Sequence, residues 1–409
     1  MQRQQQHRIL VIGAGYTGAV AAGRLARRLH REDVTITLVN SSPDFVERVR
    51  LHQVAAGQDL GARPLSEMFA GTGVALRVAG VVGVDADHKT VTVTTGTPED
   101  RTPPEQLRYD TLVYALGSGW NTQGVPGAAE YAHEIASRPG ALRLRERLAR
   151  LDAGQPVVVV GGGLTGLEAV TEIAEARPDL DVALAARGEP GDWLSPGARA
   201  HLRKVLARLG VTVHEHTAVT GVQPDRVITA GGGTVPSAVT VWTTGFAVHP
   251  VAEGSTLETS GTGQIVVDAT MRSVSHPDVY AIGDAALATG PGGKPLRMSC
   301  ASGVPAAWQA ADALAARLTG GKLPARTPRY FNQCVSLGRK EGLIQYVTAD
   351  DRARRAALTG RLAALYKEVV CKGAAWGVAH PTLAVPGRRR RVAGTPEGTG
   401  ANAAAGAAV

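Results

Sequence analysis

Two copies of one glycine-rich turn, 148 residues apart from Gly13 to Gly161, constrain this 409-residue chain more than any other feature. The first reads Val11-Ile12-Gly13-Ala14-Gly15-Tyr16-Thr17-Gly18 and the second Val159-Val160-Gly161-Gly162-Gly163-Leu164-Thr165-Gly166. In each, an apolar run predicts a buried parallel strand, and the residues after it predict a helix with small residues on one face. The first glycine of G-x-G-x-x-G permits the tight turn, the second lets backbone approach a pyrophosphate, and the third lets the helix pack close on the strand. The helix N-terminus then offers free N–H groups and a partial positive charge to the diphosphate. One copy alone is equally an ordinary strand-turn-helix. Two copies in the same context predict two dinucleotide sites, and two dinucleotides held by one chain imply electron transfer between them.

The pattern around each turn repeats as a whole. Residues 8–40 read strand-helix-strand, and Leu112–Gly117 adds a buried strand ending in a glycine turn. The second unit has strands at Val157–Val160 and Val182–Ala186, a helix at Pro196–Leu209, and closes on Val239–Gly245. Between them, Val74–Val84 and Thr90–Thr94 predict an antiparallel meander. The expected fold class is α/β, with two Rossmann-like three-layer units. The first unit is discontinuous, over 1–120 and 250–325, and the second spans 152–247. A small α+β region follows over 326–385. The tail, 386–409, is basic at Arg388–Arg391 and then Gly/Ala-rich, and is expected to be disordered because it has too little apolar surface to bury.

With 44% hydrophobic and 20% charged residues, the composition is that of a soluble globular protein. The most apolar stretch is interrupted by Glu168 and Glu172, so no segment is expected to span a bilayer. The three cysteines, Cys300, Cys334 and Cys371, are widely spaced without a ligand pattern; this predicts no metal site and a reducing, cytoplasmic location. The net charge of +8 sits partly in the tail and gives no strong nucleic-acid signal.

The segment Asp278-Val279-Tyr280-Ala281-Ile282-Gly283-Asp284 places a carboxylate beside a glycine at a strand end, where it either accepts hydrogen bonds from a sugar-alcohol chain or caps a helix. Taken in order with the two glycine turns, Leu112–Gly117 and Val239–Gly245, it resembles the two-dinucleotide flavoproteins of the pyridine nucleotide-disulfide oxidoreductase superfamily, over about residues 8–320. Gly80–Asp85, Glu168 and Phe331–Val347 further resemble type II NADH dehydrogenases and, more closely, apoptosis-inducing-factor-like, ferroptosis-suppressor-type NAD(P)H:quinone reductases. The resemblance implies FAD at Gly13, Ala14, Gly15, Tyr16, Thr17 and Gly18, with Asn40 at the ribose and Val82 at the adenine. Arg48, Ala115, Gly117, Gly283 and Asp284 would hold the rest of the flavin. NADH or NADPH would lie at Gly161, Gly163, Leu164, Thr165, Gly166, Arg187 and Gly245. Glu168 would sit where nicotinamide meets flavin and tune proton traffic there; its other reading is an acid opposing the helix dipole. Arg50 and His52 lie either near the flavin or on a solvated loop.

The implied reaction is hydride transfer from NAD(P)H to FAD and then electron transfer to an acceptor, a quinone first of all. An NAD(P)H oxidase, a ferredoxin-type reductase, a tailoring oxidoreductase and a nucleotide-sensing binding protein remain alternatives. Four departures bear on these. Asn40 replaces the acid expected at the FAD ribose. The second unit offers Ala186-Arg187 instead of an acid, which admits a 2′-phosphate and hence NADPH. No cysteine pair occurs in residues 45–53, which argues against thiol–disulfide exchange and sulfide oxidation. The helix following Asp284 carries one glutamine, Gln309, beside Trp308, which is expected in the core more than against a quinone. Residues 354–372 predict an amphipathic basic helix bearing Leu358, Leu362, Leu365 and Val369, packed on the body or lying on an anionic membrane.

Overall fold

Eight strongly apolar residues of His7–Ile12 and Val34–Asn40 lie in one parallel pair, Ile9 opposite Ile36, in a computed structural model that describes residues 6–96, 103–325, 327–383 and 387–393. Thr111–Tyr114 pairs on the other side of His7–Ile12, and the sheet is completed by Val74–Val78 at one edge and Val279–Ala281 at the other. The first nucleotide unit therefore takes its outermost strand from far along the chain. The three inner strands are buried on both faces, as helices above and below a parallel sheet require. Helices Tyr16–Arg28 and Cys300–Leu318 lie against each other through alanine and glycine surfaces.

The second sheet repeats this plan. All five of its strands are parallel, in the order Thr212–His214, Asp181–Ala185, Pro156–Val160, Val239–Trp242 and Ala132–His133. The Leu164–Ala176 helix follows the second glycine turn.

Three expectations about elements change. The stretch 74–84 divides at Ala79, whose N–H donates to the Asn40 carbonyl. Val74–Val78 thus stays in the parallel sheet, and only Gly80–Asp85 joins the antiparallel meander with Thr90–Thr94 and Glu105–Arg108. The helix expected from Arg354 begins at Arg361 instead. Ala353–Thr359 is a strand paired with Gly342–Val347, Leu358 opposite Ile344, because completing that three-stranded sheet outweighs the helical spacing of its leucines. Gly360, at φ +83°, then turns the chain into the helix Arg361–Ala379.

The tail is anchored over part of its length. Arg390 pairs with Leu29, Arg391 reaches Glu32 and Asp33 at 2.7 and 2.8 Å, and the Val392 N–H donates to Asp33 at 2.9 Å. Part of the tail expected to be disordered is thus ordered, with Arg391 answering the acidic turn before Val34 and Arg389 donating to the Ala26 carbonyl. Residues 394–409 lie outside the described residues.

Candidate functional site

The two glycine turns are near copies in three dimensions. Gly13 and Gly161 adopt φ +93° and +125°, which an L side chain rarely tolerates. A Cβ on Gly18 would lie 1.8 Å from the Gly13 carbonyl oxygen, and one on Gly166 equally 1.8 Å from that of Gly161, so each helix packs on its turn through hydrogen alone. Gly15 and Gly163, the helix N-caps, have nothing within 4 Å of a built Cβ. Both face a single cavity of about 1890 Å³ that runs between the units.

Around the first turn the walls suit FAD. The Ala14 N–H donates to Asn40 Oδ1 at 2.9 Å, while Asn40 Nδ2 donates to the Ser42 carbonyl at 2.8 Å. Asn40 is thereby locked with its carbonyl toward the turn. At the far end, Ser118 Oγ donates to Asp284 Oδ2 at 2.6 Å, and Arg48 donates to the Ser118 carbonyl at 2.5 Å. Burial pulls the Arg48 guanidinium below its ordinary pKa, against the attraction of Asp284, and Phe246 lies under it at 5.2 Å. Tyr16, Thr17, Ala115, Gly117 and Gly283 complete this wall. Thr17 packs so closely on Gly283 and Gly303 that a Cβ on either would come within 3.0 Å of it.

Gly163, Leu164, Thr165, Glu168 and Gly245 line the same cavity from the second unit. Gly18, Gly161 and Gly166 are not in its wall, serving the turns and helix packing instead, and two further expected residues do not reach it. Val82 is 52% exposed, and a register shift between Val81 and Gly83 turns its neighbour Val81 to the cavity wall instead. Arg187 stands exposed beyond the strand end, apart from the cavity.

Where the units meet, Glu168 is buried among groups that sequence reading did not connect with it. Lys367 Nζ donates to Glu168 Oε1 at 2.8 Å and to the Cys334 carbonyl at 3.0 Å. The Ser336 N–H donates to Glu168 Oε1 at 3.0 Å, and His52 Nδ1 lies 3.8 Å from Oε2. Burial by itself would raise the Glu168 carboxyl, but Lys367 first and then His52 and these hydrogen bonds outweigh it and hold it below the ordinary range. Lys367 is held above its ordinary value, because the carboxylate overcomes the burial that opposes its charge. Burial drives His52 down to about 4, despite Glu168. The cluster is therefore carboxylate, ammonium and neutral imidazole at neutral pH. Arg50, too, is buried and paired, with Glu368 at 2.9 Å and Glu47 at 3.4 Å, so neither it nor His52 is a solvated loop charge.

From this cluster an arm of the cavity continues between the helices Tyr16–Arg28, Cys300–Leu318 and Arg361–Ala379, along successive turns of the second marked by Val304, Trp308 and Asp312. Trp308 is 45% exposed and lines the arm, with Arg24 6.0 Å from its ring centre, so it is not a core residue. Gln309 points away and donates to the Ala269 and Pro324 carbonyls. All three cysteines border the cavity, each with burial raising its thiol, Cys334 to about 11. They are neutral thiols at physiological pH.

A chain whose two glycine cradles open into one cavity in this way is an oxidoreductase that holds FAD together with NADH or NADPH. It belongs to the pyridine nucleotide-disulphide oxidoreductase family, which matches residues 7–315. A NADH dehydrogenase-like protein of Mycobacterium tuberculosis is 32% identical over 73% of this chain and 77% of its own length. The demethylphylloquinone reductase of Synechocystis is 26% identical over 88% of this chain and 92% of its own. Among solved structures, the NDH2 of Plasmodium falciparum in complex with NADH superposes with a TM-score of 0.78 at 13% identity, covering 92% of this chain and 97% of that one.

Proposed function

We propose that the protein passes electrons from NAD(P)H through FAD to a quinone drawn from a membrane, and that NADPH is its preferred donor. The observation that carries the acceptor is the arm of the cavity leading from Glu168 and Lys367 past Trp308, a slot with an aromatic wall of the kind a quinone ring enters, beyond which Arg24 and Asp312 form an ion pair. Relatives named as quinone reductases support the same reading.

A bound FAD would supply two-electron redox chemistry between the nicotinamide and the acceptor. The chain's own residues bind and orient. The N–H groups at Gly15 and Gly163 would hold the two pyrophosphates, Asp284 and Ser118 would hydrogen-bond hydroxyls of the flavin's sugar-alcohol chain, and the Glu168–Lys367 pair would fix charge beside the reacting centre. Asn40 gives the FAD ribose a neutral acceptor worth about 0.5–1.5 kcal/mol, against 1.5–3 for a charged one. Val81, which lines the cavity, would take the adenine-side position expected of Val82.

At the nicotinamide nucleotide's adenosine end, Ala186 leaves no carboxylate to repel a 2′-phosphate, and exposed Arg187 supplies a cation free to turn toward one. The outer side of the Arg361–Ala379 helix presents Leu362, Leu365, Val369 and Trp376 to solvent, the first two 67% and 61% exposed. Val370 on the same helix both lines the cavity and is part exposed, so a membrane against this face would lie beside the slot. Among the described residues no helix is long and apolar enough to cross a membrane.

Anaerobic stopped-flow mixing tests the reading. Flavin bleached by NADPH should regain colour rapidly with menadione or a ubiquinone analogue; reoxidation by oxygen alone would favour an oxidase. Flotation with anionic vesicles tests the surface, and Leu362→Ser with Leu365→Ser should abolish it.

A further inference from the structure

One turn beyond Glu168 on the same helix, Glu172 is only 2% exposed, yet its Oε2 has no hydrogen-bond partner among the described residues. It does not line the cavity. Its other oxygen, Oε1, accepts from Gln58 Nε2 at 2.5 Å and lies 3.9 Å from Arg339, whose side chain is 37% exposed. The groups facing it are few. Arg339 comes from the segment after Asn332–Ser336, Gln58 from the segment after the Leu51–Ala55 helix, and Glu175 and Glu168 from its own helix. The Arg339 guanidinium also reaches Glu368 at 3.5 Å, and its backbone N–H donates to Glu175. Burial first, then Glu175 and Glu168, overcomes Arg339 and Gln58 and pushes the Glu172 carboxyl up to about 7.

Quinone reduction by NAD(P)H creates a need for such a group. The nicotinamide supplies one hydride, which is two electrons and one proton, and a hydroquinone requires two electrons and two protons. The second proton must come from solvent to a buried slot. Glu168 cannot store it, being held as a carboxylate by Lys367. Residues i and i+4 of a helix stand about 5–6 Å apart at Cβ, so Glu172 is the next carboxyl outward.

We propose that Glu172 stores this solvent proton, taking it up at the Gln58–Arg339 side, and that the proton then crosses by way of the Glu168 carboxylate, protonated only in passing between Lys367 and His52 at the cavity wall, to the second oxygen of the quinone. The inference rests on the quinone reading above. It makes Glu172 a proton-transfer residue that touches neither nucleotide.

Holoprotein of matched flavin content answers it, as wild type, Glu172→Gln and Glu172→Asp, each assayed from pH 5.5 to 9 with a ubiquinone analogue and with ferricyanide, which accepts electrons without protons. Glu172→Gln should lower the quinone rate at least tenfold more than the ferricyanide rate and remove the fall in quinone rate through neutral pH. Glu172→Asp should restore part of both. The infrared spectrum should lose a protonated-carboxyl C=O band in Glu172→Gln, a readout independent of turnover. A Glu172→Gln profile that matches wild type, or a spectrum that loses no such band, overturns the role of Glu172 while the quinone reading stands. A wild type that reduces ferricyanide but no quinone overturns both.

Discussion

The Lys367 ammonium lies 2.8 Å from a Glu168 carboxylate oxygen, although 199 residues separate the two in sequence. The C-terminal helix thereby reaches the junction of the two nucleotide units with a charge that the acid there requires. Side chains of both partners are almost fully enclosed. A buried pair of this kind contributes little net stability while intact, but removing one member strands the other.

Lys367→Met should therefore destabilise the holoprotein by about 3–5 kcal/mol, as an uncompensated buried carboxylate does. Adding Glu168→Gln to it should recover most of that loss. Urea unfolding at neutral pH measures both, and equal costs for the single and double variants would mean the pair is not coupled.

Glu172 makes stability depend on pH in the direction opposite to most carboxylates. Its folded value, about 7, exceeds the ordinary 4.5, so between these limits the folded chain keeps a proton that the unfolded chain releases. The stabilisation is complete below about pH 4.5, fades as pH rises, and is gone above about 7, a change of up to about 3 kcal/mol. Melting temperatures of wild type and Glu172→Gln from pH 5 to 8 should diverge in favour of the variant as pH rises.

The glycines of the first turn separate folding from binding. Gly18→Ala drives a Cβ into the Gly13 carbonyl and should cost about 1–3 kcal/mol in stability. Gly15→Ala has room and an ordinary backbone angle, φ −69°, yet places its methyl in the cavity mouth. It should leave circular-dichroism melting of the apoprotein unchanged while the flavin absorbance per chain falls.

Arg187→Glu should lower kcat/KM for NADPH roughly 10–150-fold, the worth of one charge-assisted hydrogen bond at 1.5–3 kcal/mol, with little change for NADH. Steady-state kinetics with both donors decide it; an unchanged ratio removes Arg187 from donor choice.

Much of this architecture was legible in local patterns. Gly13 and Gly161 announce their turns because backbone conformation there admits almost nothing else, and Asp284 follows a buried strand at a fixed offset. Relations between distant segments were not. Nothing near Lys367 in sequence points to Glu168, and the helical spacing of Leu358 and Leu362 concealed a strand whose partner is Gly342–Val347. Trp308 read as core by residue type, but the three helices around it leave an open slot. The bulge between Val81 and Gly83 reversed which valine faces inward, a one-residue effect to which alternation patterns are blind.

The strand Val279–Ala281, hydrogen-bonded to Thr111–Tyr114, also sets an order of events at the ribosome. About 160 residues must be made between Tyr114 and Val279, roughly ten to thirty seconds of synthesis. In that interval the second sheet can close from nearly contiguous chain, while the first stands with Thr111–Tyr114 as an open, apolar edge. The first unit of the nascent protein thus carries an unpaired apolar edge until Val279–Ala281 has been made, a vulnerability written into its topology.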